Sequence, residues 1–127
     1  MTKNPILAVV GGGVSKERSV SLGSGRAVFS AMSEFCQAEM LELQEAGLPG
    51  DLDPHRHLVF STMHGTFGED GGFQKLLEAA SIEYVGCDSE SSRLTFDKSA
   101  AKSVLEKAGV PVSVSYTHLT LPTTPNV

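Results

Sequence analysis

The chain has no apolar run near the ~20 residues a membrane-spanning helix needs, and its start, MTKNPILAVV, reaches glycine too early for the apolar core of a secretory leader. A cytoplasmic protein without a membrane partner is expected. Positive charge is in deficit, with 10 Lys and Arg against 15 Asp and Glu and a formal net charge of −5. Affinity for a phosphate backbone through counterion release has no general support in such a chain, so nucleic acid is not an expected partner. Cysteine is scarce: Cys36 and Cys87 stand far apart, without metal-ligand spacing or any secretory mark. Reduced thiols follow, and neither a disulfide nor a zinc site. What remains is ordinary: 127 residues, 40% hydrophobic and 20% charged, with 13 glycines in no collagen-like period. That composition suits one globular domain with a real core.

Strands and helices alternate along the sequence. Ile6 to Val10 is short, partly β-branched and closed by three glycines, as in a strand buried on both faces. Ser21 to Phe35 spaces Leu22, Ala27, Val28, Ala31, Met32 and Phe35 close to a helical period, with Ser19 or Ser21 available as a cap. Glu39 to Leu43 reads as a second strand, residues 47–54 as a loop, and Leu58 to Met63 as a third strand. Phe73, Leu76, Leu77 and Ala80 mark one helix face, and Ile82 to Val85 a fourth strand. A single last helix carries Leu94, Ala101, Val104, Leu105 and Ala108, and ends at Gly109 and Pro111. The spacing predicts an α/β fold: an open parallel sheet with helices on both faces, joined by right-handed crossovers. In such a sheet ligands gather beyond the carboxyl ends of the strands, at the loops beginning with Gly11, His64 and Gly86.

The loop from Gly11 to Ser21 joins the first strand to the first helix, where backbone N–H groups and the helix dipole can hold an anion. It lacks the third glycine of a dinucleotide fingerprint, since Lys16 stands in its place. It is no P-loop either, because Lys16 follows Ser15 and precedes Glu17. By composition alone Lys16, Glu17 and Arg18 read as solvated charges. The stretch His64-Gly-Thr-Phe-Gly-Glu-Asp-Gly71 puts an imidazole at a strand end and two carboxylates before a helix. His64 can donate to an anionic substrate, with Glu69 orienting it. Glu69 and Asp70 can equally do no more than complement the helix N-terminus. The residues leave both open. No G-x-S-x-G elbow supports a serine hydrolase. Lys98, within the last helix, reads as a surface charge, and His55 and His57, in the loop before the third strand, receive no role.

Taken together and in order, residues 11–22 (GGGVSKERSVSL), 64–71 (HGTFGEDG) and 97–99 (DKS) resemble the N-terminal domain of the D-alanine–D-alanine ligases over roughly residues 5–112. The resemblance implies a Rossmann-like, pre-ATP-grasp domain over residues 1–112 and a homodimeric, ATP- and Mg-dependent parent ligase. It also implies a role in peptidoglycan synthesis and cell shape. In that enzyme the ATP γ-phosphate passes to one D-alanine carboxylate, and the amine of a second D-alanine attacks the acyl phosphate. By the same resemblance Glu17 holds the first substrate's ammonium, with Ser21 beside it. His64 lies near the transferring phosphate, Glu69 supports His64, and Lys98 reaches an ATP phosphate. The metal-binding carboxylates of the family's later lobes have no counterpart here, so this chain alone is expected to be inactive and to hold no metal. The uncharged, Thr- and Pro-rich residues 113–127 fall outside the resemblance and are expected to be an unstructured tail. They resemble translated sequencing-adapter read-through, which implies a truncated frame. An NAD-binding Rossmann oxidoreductase and a stand-alone α/β binding module are the alternatives.

Overall fold

The computed structural model describes residues 4–113. The tail assigned to residues 113–127 thus lies, from residue 114 onward, outside the described residues. Four strands form one sheet: β1 (Ile6–Gly12), β2 (Ala38–Leu43), β3 (His57–Ser61) and β4 (Glu83–Tyr84), in the order β2-β1-β3-β4. All three pairings are parallel, with Ala8 opposite Glu39 on one side and Val59 on the other. Every residue of β1 is buried, as its unbroken apolar run requires of a central parallel strand. The helices are α1 (Arg18–Met32), α2 (Gly72–Ala79), α3 (Ser89–Phe96) and α4 (Lys98–Lys107).

The crossover through α1 steps from β1 outward to β2, and that through α2 steps the other way, from β3 to β4. Right-handed connections in opposite directions put the two helices on opposite faces. The alternation of side chains agrees. Ala8, Val10 and Val59 share a core with Phe73 and Leu77 of α2 and with Leu43, Met63 and Ile82. Gly11 and Met40 instead face α1, where Gly25 approaches so closely that a Cβ there would stand 2.6 Å from Met40 Cε.

Three expectations need correction. Helix α1 begins at Arg18 and ends at Met32, so neither Ser19 nor Ser21 caps it. Its buried residues are Ser21 and Gly25, whereas Ala27, Ala31 and Phe35 are exposed, Phe35 at 79%. Close packing of α1 on the sheet favours small residues over the large apolar ones that set the periodicity. The single last helix is two. Asp97 adopts φ −85° and ψ 103°, which ends α3, and its carboxylate accepts the Ala100 N–H at 3.1 Å to cap α4. Lys98 is therefore the first residue of a helix and not an interior one. Finally, His57 lies in β3 and is 3% exposed; its Nδ1 accepts the Asp53 N–H at 2.9 Å.

Candidate functional site

At the carboxyl ends of the strands the chain turns through residues 13–17 after β1, 62–71 after β3 and 85–88 after β4. Gly65, at φ +69°, lies so close to the first of these loops that a Cβ would stand 3.1 Å from Ser15 Cβ. That approach joins two loops distant in sequence. A cavity of about 600 Å³ opens between them, walled by Lys16, Glu17, Glu69, Thr66, Val14 and Phe96. Glu17, the last residue before α1, makes no side-chain capping bond, and its own N–H donates to Ser15 Oγ at 3.1 Å. Its carboxylate is exposed and uncommitted to the helix it precedes.

His64 and Glu69 meet: Nδ1 stands 3.2 Å from Oε1. A carboxylate at Nδ1 holds the ring in one orientation and leaves Nε2 as the atom for a substrate. That Nε2 is buried and has no hydrogen-bond partner among the described residues. His64 also lines a neighbouring cavity of about 420 Å³ with Ser24, Thr62, Gln74, Cys87 and Ser92. Glu69 belongs to both cavities and links Glu17 to His64. The two carboxylates of the loop divide their tasks. Asp70 accepts the N–H of Gly72 at 2.9 Å and serves the start of α2, while Glu69 turns to the histidine.

The loop backbone carries strain at Phe67, a non-glycine residue at φ +73°. Such a conformation costs about 1–3 kcal/mol and persists where surroundings enforce it. Here the ring packs against Phe73 with centroids 5.7 Å apart, and the Phe67 carbonyl accepts the Phe73 N–H at 2.9 Å. The sequence gives no sign of this residue's role, nor of Phe96 and Val14 as cavity walls.

Ser21 is placed differently from the charged candidates and His64. It is fully buried, and its Oγ accepts the Gly12 N–H at 2.9 Å. It fixes the turn out of β1 from behind the cavity instead of lining it. Lys98 is exposed, lines neither cavity and forms no ion pair among the described residues. Arg18, read from composition as a solvated charge, is bound to backbone carbonyls. Among the described residues no group of three His, Cys, Asp or Glu side chains could hold a metal ion. The magnesium that the resemblance implies therefore does not fit the residues described. Both cysteines are free thiols, and no described helix is long and apolar enough to cross a membrane.

The comparisons with known proteins fall on this same architecture. A family model described as D-ala D-ala ligase N-terminus matches residues 37–87, from the approach to β2 through the turn after β4. The D-alanine–D-alanine ligase of Glaesserella parasuis serovar 5 is 36% identical over 112 residues, covering 87% of this chain and 37% of that protein. The chain thus spans little more than a third of the length of this relative. The crystal structure of the D-alanine–D-alanine ligase of Bacillus anthracis complexed with ATP superposes with a TM-score of 0.71 at 28% identity, over 85% of this chain and 36% of that one. D-alanyl-alanine synthetase A of Vibrio cholerae shares the fold, with a TM-score of 0.74 at 22% identity, over 87% of this chain and 39% of its own. By these likenesses the chain belongs to the D-alanine–D-alanine ligase family, whose N-terminal part it matches.

Proposed function

We propose that this chain is the substrate-holding lobe of an ATP-dependent ligase that joins two D-alanine molecules for peptidoglycan synthesis in the bacterial cytoplasm, as part of a homodimeric parent enzyme. The observation that carries the reading is the shared cavity in which Glu17 and Glu69 face one another's loop, with His64 held at 3.2 Å by Glu69. Two carboxylates beside one cavity suit an ammonium group, and a histidine in the adjoining cavity whose buried Nε2 lacks a partner suits the carboxylate end of the same amino acid.

In this reading Glu17 binds the ammonium of the first D-alanine by charge and hydrogen bonding, which fixes the direction its carboxylate faces. His64 donates from Nε2 to the carboxylate oxygens as they take up the γ-phosphate of ATP, and Glu69 on Nδ1 stabilises the charged ring. Ser21 acts from behind, by holding the Gly12 turn through its 2.9 Å bond. The amine of a second D-alanine then forms the new amide bond as phosphate leaves. In this reading Lys98 meets an ATP phosphate from this lobe. It is a single exposed ammonium at the start of α4, so the other groups that hold ATP and magnesium belong to parts of the enzyme beyond this chain.

The test joins residues 1–112 to the remaining length of a solved relative and measures ADP and D-alanyl-D-alanine formed from ATP and D-alanine. A folded chimera that turns over supports the reading, and a folded chimera with no turnover removes it. The 127-residue chain alone is expected to form no dipeptide above a mock purification.

A further inference from the structure

Of the three charged residues that follow Ser15, Arg18 alone turns inward. One guanidinium nitrogen, Nη1, donates to the carbonyl oxygens of Gly13 at 2.8 Å and Leu43 at 2.6 Å. The other, Nη2, lies 3.2 Å from Glu42 Oε1. The Leu43 carbonyl also accepts the Gly13 N–H at 2.7 Å, so the last residue of β2 receives one donor from the loop after β1 and one from the first residue of α1. A planar guanidinium can reach three acceptors in different directions, which a lysine ammonium on its single stem cannot reproduce.

The backbone makes room for this arrangement. Gly12 and Gly13 stand at φ +96° and +88°, conformations an L side chain rarely adopts. A Cβ on Gly12 would lie 2.7 Å from the Leu43 oxygen and 3.3 Å from Arg18 Nη1, filling the space the guanidinium enters. Two consecutive glycines leave the loop free to sample many conformations unless a long-range contact selects one. Beside the Gly13–Leu43 backbone bond, Arg18 supplies a charged contact of that kind across 25 residues of sequence.

The geometry points to Arg18 as a positioning residue for Glu17: it clamps the loop of residues 13–17 to the carboxyl end of β2 and so sets where the Glu17 carboxylate enters the cavity it shares with Glu69. Among the described residues Glu17 makes no side-chain capping bond and no ion pair that would place it otherwise. The inference rests on the reading of Glu17 as the ammonium-holding residue, and it assigns Arg18 no contact with substrate.

The test uses the full 127-residue chain, isotopically labelled for NMR, with D-alanine itself as the probe. Arg18→Gln is expected to speed amide exchange at Gly13 by about ten-fold or more while Val9 and Val10 in β1 stay within about two-fold, since only the loop loses its charged bonds. Arg18→Lys should fall between. D-alanine titrations then follow the amide shifts of residues 15–17. Arg18→Gln should weaken that response when Glu17 is present and add nothing to the loss caused by Glu17→Gln. Unchanged exchange at Gly13, or equal acceleration at Val9 and Val10, overturns the clamp. Equal weakening of D-alanine binding with and without Glu17 overturns its action through Glu17. If Glu17→Gln leaves the D-alanine response intact, or the parent chain gives none, the ammonium reading fails, and the exchange measurement still decides the clamp.

Discussion

Ser21 Oγ accepts the N–H of Gly12 at 2.9 Å, a bond that ties the second turn of α1 to the end of β1 beneath the candidate site. Ser21 is fully buried, and its own carbonyl accepts the Thr62 hydroxyl at 2.9 Å, so one residue touches the exits of β1 and β3. Ser21→Ala leaves the Gly12 N–H without a partner where water cannot replace it. The expected loss is about 1–3 kcal/mol of stability in urea unfolding. Ser19→Ala, on the exposed side of the same helix, should stay within about 0.5 kcal/mol. Equal effects of the two would mean that the buried bond contributes nothing.

The sequence made β1 legible because a central parallel strand is apolar on both faces, and Ile6 to Val10 needs no partner to say so. Parallel topology likewise directs attention to the loops after β1 and β3, and those loops do meet around one cavity. The buried face of α1 was not: Ser21 and Gly25 pack closely because they are small, and a periodicity read from Leu, Val and Phe passes over them. The break at Asp97 was hidden by continuous helical spacing from Leu94 to Ala108, although Asp97 itself is a good cap residue. Arg18 could not be distinguished from Lys16 at all. Its acceptors include Leu43, and nothing local in the sequence points across that distance.

Gly71 begins α2 at φ +96°, and a Cβ there would stand 2.4 Å from the backbone oxygen of Ser89. Backbone cannot swing aside as a flexible side chain can. Gly71→Ala should therefore part α2 from α3 and cost more than the ~1–3 kcal/mol of left-handed strain alone. Thermal unfolding of this variant beside Gly47→Ala, where a Cβ meets nothing within 4 Å, separates packing from a general glycine effect.

Glu78 joins the same two helices. Its carboxylate accepts from the Ser89 hydroxyl at 2.6 Å, the Ser89 N–H at 2.8 Å and the Tyr84 hydroxyl. These bonds, Ser89's hydroxyl foremost and then Tyr84's, hold the Glu78 carboxyl below its ordinary value, and the bonds exist only in the folded chain. A depressed carboxyl stabilises the fold above the unfolded value and loses that contribution as pH falls through the folded one. Melting temperature should thus drop more steeply in the parent than in Glu78→Gln as pH falls below the ordinary carboxyl value of about 4.5. Burial, and after it the bond to Glu78, pushes the Tyr84 hydroxyl well above the ordinary tyrosine range. A raised phenol keeps its contribution below the unfolded value and loses it as pH rises through the folded one. Alkaline difference absorbance should find Tyr84 silent near pH 10, and Glu78→Ala should lower the pH at which it ionises.

The charge on Glu17 is best tested in the chimera that carries residues 1–112 on the rest of a related ligase. Glu17→Gln keeps the shape and an amide able to hydrogen-bond, but removes the charge opposite the substrate ammonium. A charge-assisted bond lost from a closed site should lower the initial rate at low D-alanine by roughly ten- to a hundred-fold, with folding intact. Lys16 lies one residue away and lines the same cavity, which makes it the natural control. If the cavity recognises an ammonium, Lys16→Gln changes little. If the loop were instead a general anion site using backbone N–H groups and positive charge, losing Lys16 would be the worse lesion and losing Glu17 would help. The order of the two rates therefore distinguishes the chemistry of the site even when both variants bind ATP and both remain folded.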